Sequence, residues 1–204
     1  MVQIQIVDDH KMFVEGLSRV INESGFAQVS NTAHSVNECW EMLATYPIAD
    51  VMLLDIFLPD GNGMELCPLL KKKYPNVKIL ALSSFSEDAI VSHMLAGGAS
   101  GYILKSAGSQ EVFKGIQAVL RGGQYVCEEI SHLLRMQEGG NVSLTPKERE
   151  LLRLICEGLT SAEIARKMFF SVETISSYRR NLLYKLGAHN TASLVRIAVK
   201  EQLI

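Results

Sequence analysis

Over the first 122 residues the apolar pattern shifts period repeatedly, from strand-like runs to 3.6-residue spacing and back, and this constrains the fold more than any single residue does. Gln3 to Val7 reads as a strand, after which Phe13, Leu17, Val20 and Ile21 recur at helical spacing until Gly25 stops them. A strand near Ala27 to Ser30 comes next. Ser35 to Glu38 then forms a capping-box pattern, with Val36, Cys39, Trp40 and Leu43 as the buried stripe of a helix ending near Tyr46. The strand Val51 to Asp55, a helix around Met64 to Lys73 and the strand Lys78 to Leu82 follow. A helix near Glu87 to Ala96, the strand Gly101 to Leu104 and a helix from Ser109 to Arg121 complete the series. Five strands alternating with five helices predict an α/β domain, a doubly wound (βα)5 parallel sheet, because right-handed crossovers need a helix between parallel strands.

Open sheets of this kind keep their chemistry outside the carboxyl ends of the strands. The first strand ends in Asp8 and Asp9, and the third, VMLLD, ends in Asp55 before a loop containing Pro59, Gly61 and Gly63. The fourth ends in Ser83 and Ser84, the fifth in Lys105. Three carboxylates brought together repel one another, and a hard divalent cation such as Mg²⁺, which prefers carboxylate and water oxygens, resolves the repulsion. A lysine beside them can pair with an added phosphoryl oxygen.

VDDH, LLDIFLPDGNG, ALSS and GYILK together resemble the receiver domain of bacterial response regulators, over residues 1–122. The resemblance implies that Asp55 is the phospho-acceptor and that Asp8 and Asp9 form the acidic pair. It makes Ser83 the switch hydroxyl, Tyr102 the switch aromatic and Lys105 the phosphate-contacting lysine. Mg²⁺ would be held by Asp9, Asp55 and the Phe57 carbonyl, with Asp8 assisting through water. Many receivers have a cis proline after the lysine; Ser106 stands there in this chain, so a trans bond is expected. A phosphatase of the haloacid dehalogenase type also puts a nucleophilic Asp after an apolar strand. That chemistry needs a second carboxylate two residues on, where this chain has Phe57, which can neither protonate a leaving group nor activate water. An enzyme is therefore not expected.

Charge divides the chain. Residues 1–125 carry nine Lys and Arg against thirteen Asp and Glu, whereas residues 143–204 carry ten against six, and every Asp falls in the first part. An acidic, cation-seeking half and a basic, nucleic-acid-seeking half are the natural reading. QEGGNVS, Gln137 to Ser143, has a hinge-like composition, so a linker is assigned to 123–142 and a second domain to 143–204.

In that second part, Thr145 to Glu148 fits a capping box with Pro146 at the first helical position, and Leu151, Leu152 and Ile155 give a buried face. Gly158 breaks this helix, Thr160 to Met168 forms a short one, and FFS leads into VETISSYRRNLLYKLG. A short helix, a tight turn and a longer helix make a helix-turn-helix, whose second helix enters the major groove. Along that helix Thr174, Ser176, Ser177, Arg179, Arg180 and Lys185 are the candidate DNA-contacting residues, the arginines because their bidentate donors suit phosphates and guanine edges. A last helix, TASLVRIAVKEQL, opens after Asn190. LTPKERELLRLICEGLTSAEIA and KLG resemble the LuxR-type DNA-binding domain. Receiver plus LuxR-type domain is the architecture of the NarL/FixJ class of response regulators. The family often has a basic or amide residue where Ser176 stands and histidine where Tyr178 stands, so base preference does not carry over.

The expectation is a transcriptional regulator that takes a phosphoryl group on Asp55 from a sensor histidine kinase, binds double-stranded DNA and forms a homodimer when phosphorylated. The alternative is a receiver serving mainly as a protein-docking switch, with constitutive DNA binding. No apolar run approaches the roughly 18 residues of a membrane span, and MVQIQIV lacks a secretory pattern, so a cytoplasmic, membrane-free protein is expected. Cys39, Cys67, Cys127 and Cys156 have no metal-ligand spacing and are expected to be reduced thiols.

Overall fold

The computed structural model describes the chain apart from residues 85, 87, 129, 132–143 and 202, and divides it into two compact units, Met1–Glu138 and Gly139–Ile204. The hinge expected at 137–143 lies outside the described residues.

In the first unit β1 (Val2–Val7), β2 (Ala27–Ala33), β3 (Val51–Asp55), β6 (Lys78–Ser83), β7 (Gly101–Leu104) and β8 (Tyr125–Val126) form one parallel sheet in the order β2-β1-β3-β6-β7-β8. The intervening helices are α1 (Lys11–Glu23), α2 (Val36–Thr45), α3 (Gly63–Lys73), α4 (Asp88–Ala96) and α5 (Ser109–Leu120). Alternate strand residues face opposite sides of a sheet. Ile4, Ile6, Val51, Leu53, Leu80, Leu82 and Ile103 pack with Val14, Leu17 and Ile21 of α1 and Val112, Ile116 and Val119 of α5. Residues of the other parity, including Met52, Leu54, Ile79, Ala81 and Tyr102, are equally buried, as burial on both faces requires. Gln5 is buried among them without penalty: its amide accepts from the Ala49 N–H and donates to the Pro47 carbonyl.

Two features escaped the periodicity. β8 adds a sixth strand beyond the five expected, so ordered sheet continues past residue 122. Gly101 makes room for it, since a Cβ there would lie 2.3 Å from the Tyr125 carbonyl oxygen. Between β3 and α3 the loop is a minimal antiparallel hairpin, β4 (Phe57–Leu58) with β5 (Gly61–Asn62). The Ser35 cap holds only in part: Ser35 Oγ accepts from the Glu38 N–H, but the Glu38 carboxylate turns to the His34 N–H.

The second unit is helical: α6 (Pro146–Cys156), α7 (Ser161–Met168), α8 (Val172–Lys185) and α9 (Thr191–Lys200). Reciprocal capping boxes start α6 at Thr145 and Glu148, α7 at Thr160 and Glu163, and α9 at Asn190 and Ser193, while Ser171 caps α8. Leu151, Leu152, Ile155, Ile164, Ile175, Leu182, Leu194 and Ala198 form its core. All four cysteines are free thiols, and burial pushes Cys39 up to about 12 and Cys67 to about 11. Among the described residues no helix is long and apolar enough to cross a membrane.

Candidate functional site

The chain turns from β1 to β2 on one side and comes back to place β3 on the other, so the crevice between the carboxyl ends of β1 and β3 is the topological switch point. Asp8 and Asp9 follow β1 and Asp55 ends β3, which puts all three there. Lys105, after β7, reaches across to them: its Nζ lies 2.7 Å from Asp8 Oδ2 and 2.8 Å from Asp55 Oδ2. Its ammonium also sits 5.3 Å from the centre of the Phe13 ring. Asp8 and Asp55 are buried and Asp9 is partly exposed. Asp55 Oδ1 accepts from the Ile56 N–H at 2.7 Å and the Phe57 N–H at 3.4 Å, which fixes the plane of the carboxylate.

Burial raises the Asp55 pKa to about 6; the neighbouring Asp8 charge adds to the rise, and the Lys105 ammonium opposes it. Three carboxylates against one lysine leave the cluster short of positive charge. Asp8 Oδ2 and Asp9 Oδ1 are shielded from solvent, their near neighbours being Lys105 Nζ at 2.7 Å and His10 Nδ1 at 2.9 Å. Hard oxygen donors that outnumber the one ammonium among them fit a divalent cation such as Mg²⁺.

His10 was not singled out in the sequence although it ends the VDDH motif. Its Nδ1 lies 2.9 Å from Asp9 Oδ1, 3.2 Å from Asp8 Oδ1 and 3.2 Å from Lys105 Nζ, making it a fourth member of the cluster. Two more residues act through the corner between β2 and α2. His34 Nδ1 lies 2.8 Å from the Asp8 carbonyl oxygen. Asp60, at the tip of the hairpin, accepts from the first N–H groups of α2, Val36 at 2.7 Å and Asn37 at 2.9 Å, and these bonds hold its carboxyl below the usual range. One corner thus braces both acid-bearing loops. At the base of the hairpin Gly63 packs on the site itself: a Cβ there would lie 2.2 Å from the Asp55 carbonyl oxygen.

Ser83 and Tyr102 are both fully buried. Ser83 is registered with Leu104 and Ala81 with Tyr102, so the two side chains share one sheet face on adjacent strands. The Lys105 N–H donates to the Ser83 carbonyl, linking the lysine loop to β6, and the Lys105–Ser106 bond is trans as expected.

In the second unit Arg179 Nη1 lies 3.2 Å from Ser161 Oγ of α7, and Arg180 Nη2 lies 3.3 Å from Ser177 Oγ. Thr174 meets its cap, Ser171, through both its N–H and its hydroxyl. Ser176 lies half-buried on the same helix. Lys185 departs from expectation. Its Nζ pairs with both oxygens of Glu148, at 3.1 and 2.9 Å, and with both side chains nearly buried it serves α6–α8 packing rather than presenting a free ammonium. Tyr178 stacks on Phe170, ring centres 5.9 Å apart, and packs half-buried against the core.

Residues 4–117 match the response regulator receiver domain family, and residues 142–198 match the luxR family of bacterial regulatory proteins. The chain is a response regulator of the NarL/FixJ class. The regulator is 32% identical to the oxygen regulatory protein NreC of Staphylococcus aureus (strain bovine RF122 / ET3-1), over 99% of each chain. Among solved structures it resembles the chain in a structure of two RcsB dimers bound to two parallel DNAs, at 28% identity and a TM-score of 0.63, covering 97% of this chain and 98% of that one. It also resembles RcsB from Salmonella enterica serovar Typhimurium bound to promoter P1flhDC in the presence of phosphomimetic BeF3-, at 29% identity and a TM-score of 0.63, covering 96% and 97%. The regulator thus carries a receiver and a LuxR-type DNA-binding domain, and its family regulates transcription rather than acting as an enzyme.

Proposed function

We propose that Asp55 accepts a phosphoryl group from a sensor histidine kinase and that this modification controls DNA binding by the second domain. The observation that carries the reading is Lys105 seated 2.8 Å from Asp55 within a cluster of three carboxylates. Asp55 must be ionised to attack phosphorus, and a pKa of about 6 leaves it mostly ionised near pH 7. The Ile56 and Phe57 N–H groups orient the carboxylate, and Lys105 is placed to balance charge on the transferred oxygens. Mg²⁺, when bound, supplies further charge neutralisation there; Asp9, Asp55 and the Phe57 carbonyl would hold it, with Asp8 assisting through water. Phosphorylation adds about 1.5 to 2 negative charges and three strong acceptors. Ser83 and Lys105 meet them, and Tyr102, on the Ser83 face of the sheet, passes the change on through a second packing.

The second domain reads DNA with α8, where Arg179, Arg180, Thr174, Ser176 and Ser177 are the contacting residues. One recognition helix touches too few bases for useful specificity, so the regulator works as a phosphorylation-favoured homodimer on paired half-sites, in the cytoplasm. The RcsB dimers bound to DNA support this. Receiver, linker and DNA-binding domain are assigned to 1–122, 123–142 and 143–204, with β8 appended to the receiver sheet.

Acetyl phosphate with Mg²⁺ is expected to add one phosphoryl group, seen by intact mass, and to tighten DNA binding. Uptake by Asp55→Asn at wild-type yield, or indifference to EDTA, would show the site to be wrong; affinity unmoved by phosphorylation would show the control to be wrong.

A further inference from the structure

Phe169 links α7 to α8 in a left-handed conformation, φ 57°, the sole non-glycine residue among those described with a positive φ. The reversal itself is required: the Phe169 and Phe170 N–H groups both donate to the Ala165 carbonyl, and Phe170 must then stack on Tyr178. Glycine or asparagine would adopt that conformation with less strain. Phenylalanine instead stands there 95% exposed, so the fold bears both the strain and the solvation cost of its ring. Phe169 lies two residues before Ser171, the cap of the helix assigned to the major groove, and two residues after Lys167, which with Arg166 is exposed. The end of that helix nearest Phe169 is the end that meets base edges in helix-turn-helix proteins.

We infer that Phe169 is a DNA-contacting residue, set against the apolar surface of the groove while Arg166 and Lys167 meet the flanking phosphates. That apolar surface has two sources, the thymine methyl groups and the deoxyribose carbons. The contact is hydrophobic and releases no counterions, whereas a lysine on a phosphate does.

The inference rests on α8 being the recognition helix, and the experiment separates the two. Short duplexes selected by the full-length wild-type protein from a randomised pool serve as the probe. Phe169→Asn is expected to unfold at no lower denaturant concentration than wild type, yet to bind about tenfold more weakly with the same salt dependence. Lys167→Gln is expected to weaken binding and to flatten the slope of log affinity against log salt by about one. Replacing thymine by deoxyuridine identifies the source: wild type loses affinity and Phe169→Asn does not if methyls are touched, and neither changes if the deoxyribose wall is. Binding by Phe169→Asn within twofold of wild type overturns the inference, as does a loss that comes with a flatter salt slope or with a lower unfolding midpoint. Arg180→Ala is the control. If it loses affinity while Phe169→Asn does not, this inference alone falls; if it too binds like wild type, the recognition-helix reading falls with it.

Discussion

Lys185 and Lys105 each approach a buried carboxylate closely, at 2.9 Å from Glu148 in the DNA-binding domain and 2.8 Å from Asp55 in the receiver. Around Lys185 both oxygens of Glu148 face one ammonium, and the same carboxylate caps α6 at the Thr145 N–H. Around Lys105 two buried carboxylates, Asp8 and Asp55, share one ammonium, and a third, Asp9, lies in the same cluster against a histidine. A balanced pair is chemically closed: it fixes how α6 meets α8 and offers nothing to a ligand. An outnumbered lysine leaves negative charge that the chain cannot neutralise from within, which suits the site to a cation and an electrophile. The ratio of buried charges, rather than their presence, separates a structural contact from a reactive one.

Breaking the balanced pair is expected to have the largest effect. Lys185→Ala takes the ammonium away from the buried Glu148 carboxylate and should destabilise the DNA-binding domain by about 3–5 kcal/mol, read by chemical denaturation, whereas Lys185→Met with Glu148→Leu should recover only part of the loss, because it also removes the Glu148 cap on the Thr145 N–H. Loss of DNA binding by Lys185→Ala should track unfolding; loss while fully folded would return Lys185 to the DNA-contacting set.

Removing charge from the unbalanced cluster should act in the opposite direction. The Asp55 pKa is about 6 in the fold against an ordinary 3.8, so its proton is held more tightly when folded, and the stability that proton confers is present below 3.8 and lost as pH rises through 6. Asp55→Asn, neutral at every pH, is therefore expected to stabilise the receiver by roughly 1–3 kcal/mol at pH 7, with the advantage vanishing near pH 4. Destabilisation at pH 7 that fades as the pH falls through 4 would show that Lys105 outweighs burial.

The smallest effect belongs to the brace. Asp60→Ala removes two hydrogen bonds from the start of α2 and should cost about 1 kcal/mol, with slower phosphoryl uptake because the hairpin after Asp55 loses its anchor. An unchanged initial rate with acetyl phosphate would confine Asp60 to stability alone.

What sequence could reveal follows from how each residue acts. Asp8, Asp9, Asp55 and Lys105 were legible because each sits at the end of an apolar run, and parallel topology brings such ends together whatever the intervening chain does. His34 and Asp60 were not, because they act across 23 to 26 residues through one or two hydrogen bonds that leave no periodic mark. β4, β5 and β8 are two residues each, too short for alternation to register. Lys185 was misassigned for a different reason: position along α8 suggests an exposed cation, but only the packing of α6 reveals that Glu148 is waiting beneath it.

Gly63 carries a consequence for the history of such a chain. Every other amino acid would place a carbon against the Asp55 carbonyl, so position 63 has no neutral neighbour in sequence space. A lineage that mutates it must shift the acceptor's own backbone.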